Sequence, residues 1–248
     1  MISLLTINYL WIAIAIITFV ALTFFDIKAP YGRHATDRWG KMISNKWGWF
    51  IMEFPALVIM PLLVFTGSAE KDYSSILLVT LWLVHYSNRT LIFPFKIKTN
   101  NKKMPILIVV CAFFFNAVNG TLNGYYLGFV KEPTTALSAN IFIGIFIFLA
   151  GMYINKTSDK KLISLRKKSE GYSIPKGGLF KFISCPNHFG EIVEWVGFSI
   201  IAWNISAVSF AVWTFCNLAP RSLNHHKWYI ENFKDYPKNR KALIPFIW

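Results

Sequence analysis

Long apolar runs separated by short, mostly basic connections set the pattern of this chain. Runs cover about 7–25, 49–66, 74–95, 104–129 and 137–154. Each is near the ~20 residues an α-helix needs to cross a bilayer. A further apolar stretch, about 188–220, is too long for one helix and predicts two, 188–203 and 206–220, hinged at "WNIS" (203–206). The pattern therefore predicts an all-α integral membrane fold with seven transmembrane helices, forming a single membrane-embedded domain over 1–248. Two polar segments, 155–186 and 221–248, are expected to cap that domain on one side. No internal repeat or low-complexity tract interrupts it. The first run lacks a basic leader and a small-residue cleavage site, so it reads as a span and not as a removable signal.

Charge orients the spans. The connection 26–48 holds five basic residues, 96–103 four, 155–186 eight and 221–248 six, whereas 67–73 and 130–136 hold one each. The positive-inside rule then places the N-terminus outside and the C-terminus in the cytoplasm. The net charge of +14 is thus a topology signal, and no nucleic-acid partner is expected. Composition agrees with a membrane class: 54% of residues are hydrophobic and 15% charged, against about a quarter charged in soluble domains. Cys111, Cys185 and Cys216 show no paired spacing, which argues against a disulfide scaffold or a zinc site, and no metal is expected.

Several polar residues do not suit a passive bundle. Asn187, Glu191 and Glu194 step by four and three along one helical stripe. An ionised side chain at mid-bilayer costs roughly 3 kcal/mol on insertion scales, so intramembrane carboxylates call for a compensating partner. Asn155, Asp159 and Arg166 share a second face, and Arg221, His225 and Tyr229 a third. Glu53 lies within the second run, and Tyr86 and Arg89 late in the third. Asn116 and Asn119 read as helix-to-helix glue, Trp11, Trp49 and Trp248 as interfacial anchors, and Glu194, a turn deeper than Glu191, as structural. With the orientation above, the remaining polar groups can converge on a cavity open to the cytoplasm. No GxGxxG turn follows a strand, so a dinucleotide here could not be held in the Rossmann manner.

The segments "GMYINKTSDKKLISLRK", "GYSIPKGGLFKFISCPNHFGEIVEWVGF" and "HHKWYIENFKDYPKNRKALIPFIW" closely resemble the steroid 5α-reductase (3-oxo-5α-steroid 4-dehydrogenase) family. The match is dense from about residue 81 onward and thinner at "YGRHATDRWG" and "WGWFIMEFP". The resemblance implies a membrane enzyme that uses NADPH to reduce the Δ4 double bond of a steroid or steroid-like 3-oxo lipid. It implies that Glu53 and Tyr86 act at the substrate carbonyl. It assigns cofactor binding to Arg89, Asn155, Asp159, Arg166, Asn187, Glu191, Arg221, His225, Tyr229 and Arg240. One departure is plain: Met52 stands where the family commonly has Gln, which removes a hydrogen-bonding neighbour of the carbonyl.

Other readings predict other signals. A reductase of an enoyl thioester or polyprenol shares the chemistry, and a small membrane methyltransferase would take S-adenosylmethionine. A proton-coupled transporter predicts inverted repeats, which the sequence does not show. The expected location is the inner membrane of a bacterium or the endoplasmic reticulum of a eukaryote.

Overall fold

A computed structural model describes residues 2–25, 27, 29–30, 32–97, 102–134, 137–168 and 171–248. Lys28 and Lys98, counted above as orientation charges, and Ser169 and Glu170 beside the "GYSIPKGG" turn lie outside the described residues. Seven long helices are present among them: α1 (Leu4–Phe24), α2 (Asn45–Thr66), α3 (Tyr73–Lys96), α4 (Ile106–Val130), α5 (Ala139–Lys168), α6 (Pro186–Ala202) and α7 (Ile205–Asn232). The first five are long and apolar enough to cross a membrane. All seven predicted runs are helical, and two boundaries move. Helix α5 continues past the expected end at residue 154, and α7 past 220, because "KTSDKKLISLRK" and "RSLNHHKWYIEN" keep helix-forming residues after the apolar run stops. The expected break near 203–206 is real. Trp203 adopts φ 47 between α6 and α7, and Asn204 Oδ1 accepts from Ser206 N (2.9 Å) and Ala207 N (3.0 Å), capping α7. A two-stranded antiparallel ribbon, β1 (Met42–Ser44) with β2 (Lys103–Pro105), was not anticipated. Three-residue strands carry too little alternation to be read from a sequence.

Large apolar residues are exposed as well as buried, and several polar ones are buried. Leu5, Ile17, Phe65, Phe114 and Phe146 are each more than half exposed. Asn8, Asn116, Asn119, Asn123 and Glu194 are buried. An exposed apolar mantle on helices of this length fits a surface that meets lipid.

The chain divides into two compact units. The first contains Met1–Asn8, Ala29–Ile141 and Ile201–Ala207. Its α2 and α4 meet with almost no space: a Cβ on Gly128 would lie 2.2 Å from the Leu63 carbonyl oxygen. Next to that contact, Asp72 ties the start of α3 to the segment after α4. Its carboxylate accepts from Ser75 N (2.8 Å), Thr134 N (2.5 Å) and Lys131 Nζ (2.6 Å). Burial alone would raise the Asp72 pKa, but Lys131 and the two backbone N–H groups outweigh it and hold the carboxyl well below the ordinary range. Removing one partner of a buried pair leaves the other charge stranded, so Asp72→Ala should cost about 3 kcal/mol. Because the native pKa is depressed, this contribution is complete above about pH 4 and fades below it. Chemical denaturation at neutral and acid pH checks both points: the gap between wild type and variant should close on acidification.

The second unit contains Tyr9–Lys28, Phe142–Ile200 and Val208–Trp248. Its core centres on Trp195, whose ring lies 4.5 Å from that of Phe210, 5.5 Å from Phe198 and 6.2 Å from Phe148.

Candidate active site

In the first unit, the polar residues of α2, α3 and α4 gather at one place. Tyr86 is buried, its ring 4.8 Å from Trp82 and 5.0 Å from His85. Trp82 is itself pinned by Nε1 donating to the Ala56 carbonyl at 2.8 Å, which fixes the wall against which Tyr86 rests. Asn116 donates through Nδ2 to the Met52 carbonyl (2.6 Å) and reaches Glu53 Oε2 at 3.3 Å, while Tyr86 Oη donates to Asn116 Oδ1 at 3.4 Å. Glu53 and Tyr86, predicted as a pair, are thus brought to the same amide. The sequence reading of Asn116 as helix glue holds for its contact with Met52 and misses the other two. Directly after Tyr86 the helix widens into a π turn, Asn88–Ile92. Such turns recur at functional sites. Arg89 on this turn sets its guanidinium 5.4 Å from the Trp49 ring and 5.0 Å from Phe93, a cation–π cradle.

In the second unit, glycines let α5 and α6 cross at backbone contact. A Cβ on Gly190 would lie 2.5 Å from Asn155 N, and one on Gly151 2.3 Å from Glu194 N. That approach brings Asn155 onto α6, where its Nδ2 donates to the Asn187 carbonyl (2.9 Å) and reaches Glu191 Oε2 (3.3 Å). Three predicted residues from two distant segments therefore form one polar cluster. Asp159, one turn along α5, is buried. Glu194 is fully buried beside the glycine crossing.

The end of the chain folds back on α6 and α7. The Ser184 and Cys185 N–H groups donate to the Lys241 and Ala242 carbonyls (2.9 and 3.2 Å). This return stacks Tyr236 on Tyr229 at 5.2 Å and 7°. It also lays the Arg240 guanidinium 5.1 Å from the Tyr236 ring, with Nη2 donating to the Pro175 carbonyl at 2.9 Å. His225 lies 5.7 Å from His188, whose Nδ1 pairs with Ser222 Oγ at 2.8 Å. Arg166 sits over Tyr172 at 5.2 Å, and Tyr172 meets Trp228 edge-on at 5.1 Å.

Sequence reasoning did not single out Ser184, His226 or Tyr236. Ser184 Oγ contacts His226 Nδ1 and Tyr236 Oη at 2.6 Å each and donates to the Lys241 carbonyl at 3.1 Å. Burial, then Lys241 and Arg240, depresses the His226 pKa, so the ring favours the neutral form. Burial raises that of Tyr236, partly offset by Ser184 and Arg240. These residues sit inside the motifs that carry the family resemblance, but a single Ser, His and Tyr far apart in sequence show no spacing that could have joined them.

A dinucleotide phosphate needs cationic donors and hydroxyl-binding groups, and the second unit has both. Arg240 is 5% exposed, and its buried Nε and Nη1 have no hydrogen-bond partner among the described residues. A buried guanidinium with donors to spare suits an anionic group. Asn155, Asn187 and Glu191 offer amide and carboxyl groups of the kind that bind a carboxamide or ribose hydroxyls. Among the described residues, no group of three His, Cys, Asp or Glu side chains is placed to hold a metal ion.

A family model for 3-oxo-5-alpha-steroid 4-dehydrogenase matches residues 102–248. Steroid 5-alpha-reductase of Arabidopsis thaliana is 40% identical over 234 residues, covering 90% of this chain and 88% of the plant protein. The 3-oxo-5-alpha-steroid 4-dehydrogenase 1 of Bos taurus is 41% identical over 247 residues, covering 96% and 95% of the two chains. The Homo sapiens protein of the same name is 37% identical over 223 residues, covering 88% and 85%. Identity of this depth, spread across both units, means that the chain belongs to the 3-oxo-5-alpha-steroid 4-dehydrogenase family, a family of oxidoreductases.

Proposed function

We propose that this protein uses NADPH to reduce the Δ4 double bond of a 3-oxosteroid, as a multi-pass membrane enzyme with its N-terminus outside and its C-terminus in the cytoplasm. The observation that carries the reading is the meeting of Glu53 and Tyr86 at the Asn116 amide, where three long, largely apolar helices come together. A polar cluster of this kind costs stability in a membrane helix bundle and is best accounted for by chemistry.

Reducing an enone requires electron withdrawal at its carbonyl oxygen, where negative charge develops as the β-carbon is reduced. Tyr86 donates its phenolic O–H to that oxygen, and Glu53 holds the phenol in place. Tyr86 is buried, which lowers the local dielectric and strengthens this contact. Bound NADPH supplies the hydride for the β-carbon. The enolate oxygen stays on the Tyr86 hydroxyl until the α-carbon takes a proton from water. Asn155, Asn187 and Glu191 hold the nicotinamide half, and Arg166, Arg221 and Arg240 hold the phosphates. Asp159, His225, Tyr229 and Arg89 complete the cofactor contacts.

The purified protein in detergent tests this directly. NADPH should raise its melting temperature, and progesterone or testosterone should be reduced with one NADPH consumed per steroid. Stabilisation by S-adenosylmethionine instead would assign methyl transfer. Stabilisation by neither would remove the enzymatic reading.

A further inference from the structure

Asn116 is more than a pin between two helices. Its Nδ2 faces the Met52 carbonyl, which can only accept, at 2.6 Å, and the Glu53 carboxyl oxygen at 3.3 Å. The amide nitrogen must therefore point towards α2, which turns Oδ1 towards Tyr86 and makes it the acceptor of the phenolic hydrogen at 3.4 Å. The three distances differ in meaning. The Met52 contact is short and locks the amide. The Tyr86 contact is longer than the ~2.5–3.0 Å of a good O–H···O bond, so it aims the hydroxyl without tying it down. Met52 gives Asn116 only its backbone carbonyl, while its side chain packs with Met104 and Val109.

We propose that Asn116 is a positioning residue for the reduction, an inference that rests on the function proposed above. In the ligand-free protein its Oδ1 accepts the Tyr86 hydrogen and aims the hydroxyl. Its Nδ2 meanwhile holds the Glu53 carboxylate on the side facing the phenol. An arriving ketone oxygen offers Tyr86 a shorter acceptor, and the hydroxyl swings to it from a weak contact at little cost. The donor then meets the carbonyl already oriented, which is the condition under which a hydrogen bond strengthens as charge develops.

The effect is readable as a split between turnover and binding. Asn116→Leu, which removes the amide and keeps the branched shape, should lower kcat about tenfold, the usual scale of one lost hydrogen bond. KM for a Δ4-3-ketosteroid and steroid binding without NADPH, measured by thermal shift, should change little. A double-mutant cycle supplies the readout that a purely structural role would not move. Asn116 acts through the phenol, so in a Tyr86→Phe background Asn116→Leu should cost nothing further. Asn116→Ala serves in the same cycle if leucine does not fit. Wild-type kcat in the Asn116 variants, or the same loss in both backgrounds, overturns the inference while leaving the proposed reaction intact. Failure of the wild-type protein to reduce the ketosteroid, although it binds NADPH, overturns that reaction and this inference with it.

Discussion

Tyr86→Phe should lower kcat for a Δ4-3-ketosteroid by about 10²–10³-fold, roughly 3–4 kcal/mol of lost transition-state stabilisation. The ring remains, so its packing at 4.8 Å from Trp82 and 5.0 Å from His85 survives, and the fold with it. Only the hydroxyl is lost, and with it the donor aimed at the developing oxyanion. NADPH affinity should stay near wild type, because the ring remains and only the hydroxyl is removed. Glu53→Gln should be milder than Glu53→Ala if Glu53 orients the phenol by hydrogen bonding, because the amide keeps the shape and one acceptor oxygen. Steady-state reduction of progesterone by the purified variants, with NADPH binding measured separately, checks both statements. Wild-type turnover in Tyr86→Phe would assign the carbonyl to another donor.

The helices were legible because lipid imposes a long, simple signal: an apolar run of spanning length has almost no other reading. The break at Trp203 and Asn204 was legible for the same reason, since one run was too long for one span. What the hydropathy pattern hid was where helices stop once outside it. Helix α5 gains its last turns from Lys, Leu and Arg residues whose helix propensity leaves no mark on an apolar profile. The Asn155–Glu191 cluster was legible only as two separate stripes. The contact depends on Gly151 and Gly190, and neither glycine announces in sequence which helix it will meet. Asn116 shows the opposite limit. An asparagine in a span is ordinarily glue, and its contacts with Glu53 and Tyr86 show only once the three helices are placed together. The Ser184–His226–Tyr236 cluster depends on the fold-back of the chain end, which no periodicity encodes.

Arg240 carries the other large expected effect, and its sign differs between the free and the loaded protein. Arg240 is 5% exposed and is held by the Pro175 carbonyl and Tyr236, with Nε and Nη1 lacking a hydrogen-bond partner among the described residues. A buried cation so sparsely paired is a liability to the free fold. An anionic group of the dinucleotide meeting those two donors would convert that cost into affinity. Arg240→Gln keeps a donor for Pro175 and removes the charge. It should weaken NADPH binding by about 10²-fold, within the 2–5 kcal/mol typical of losing one partner of a buried charge pair. The NADPH-induced rise in melting temperature should shrink accordingly. The ligand-free variant, in contrast, should melt no lower than wild type, and higher if relief of the buried charge exceeds the loss of packing on Tyr236. This pairing of weaker binding with undiminished stability separates a ligand-binding arginine from a structural one. If Arg240→Gln binds NADPH as tightly as wild type but melts well below it, the guanidinium is a clasp for the chain end, and the phosphates are held by Arg166, Arg221 or both.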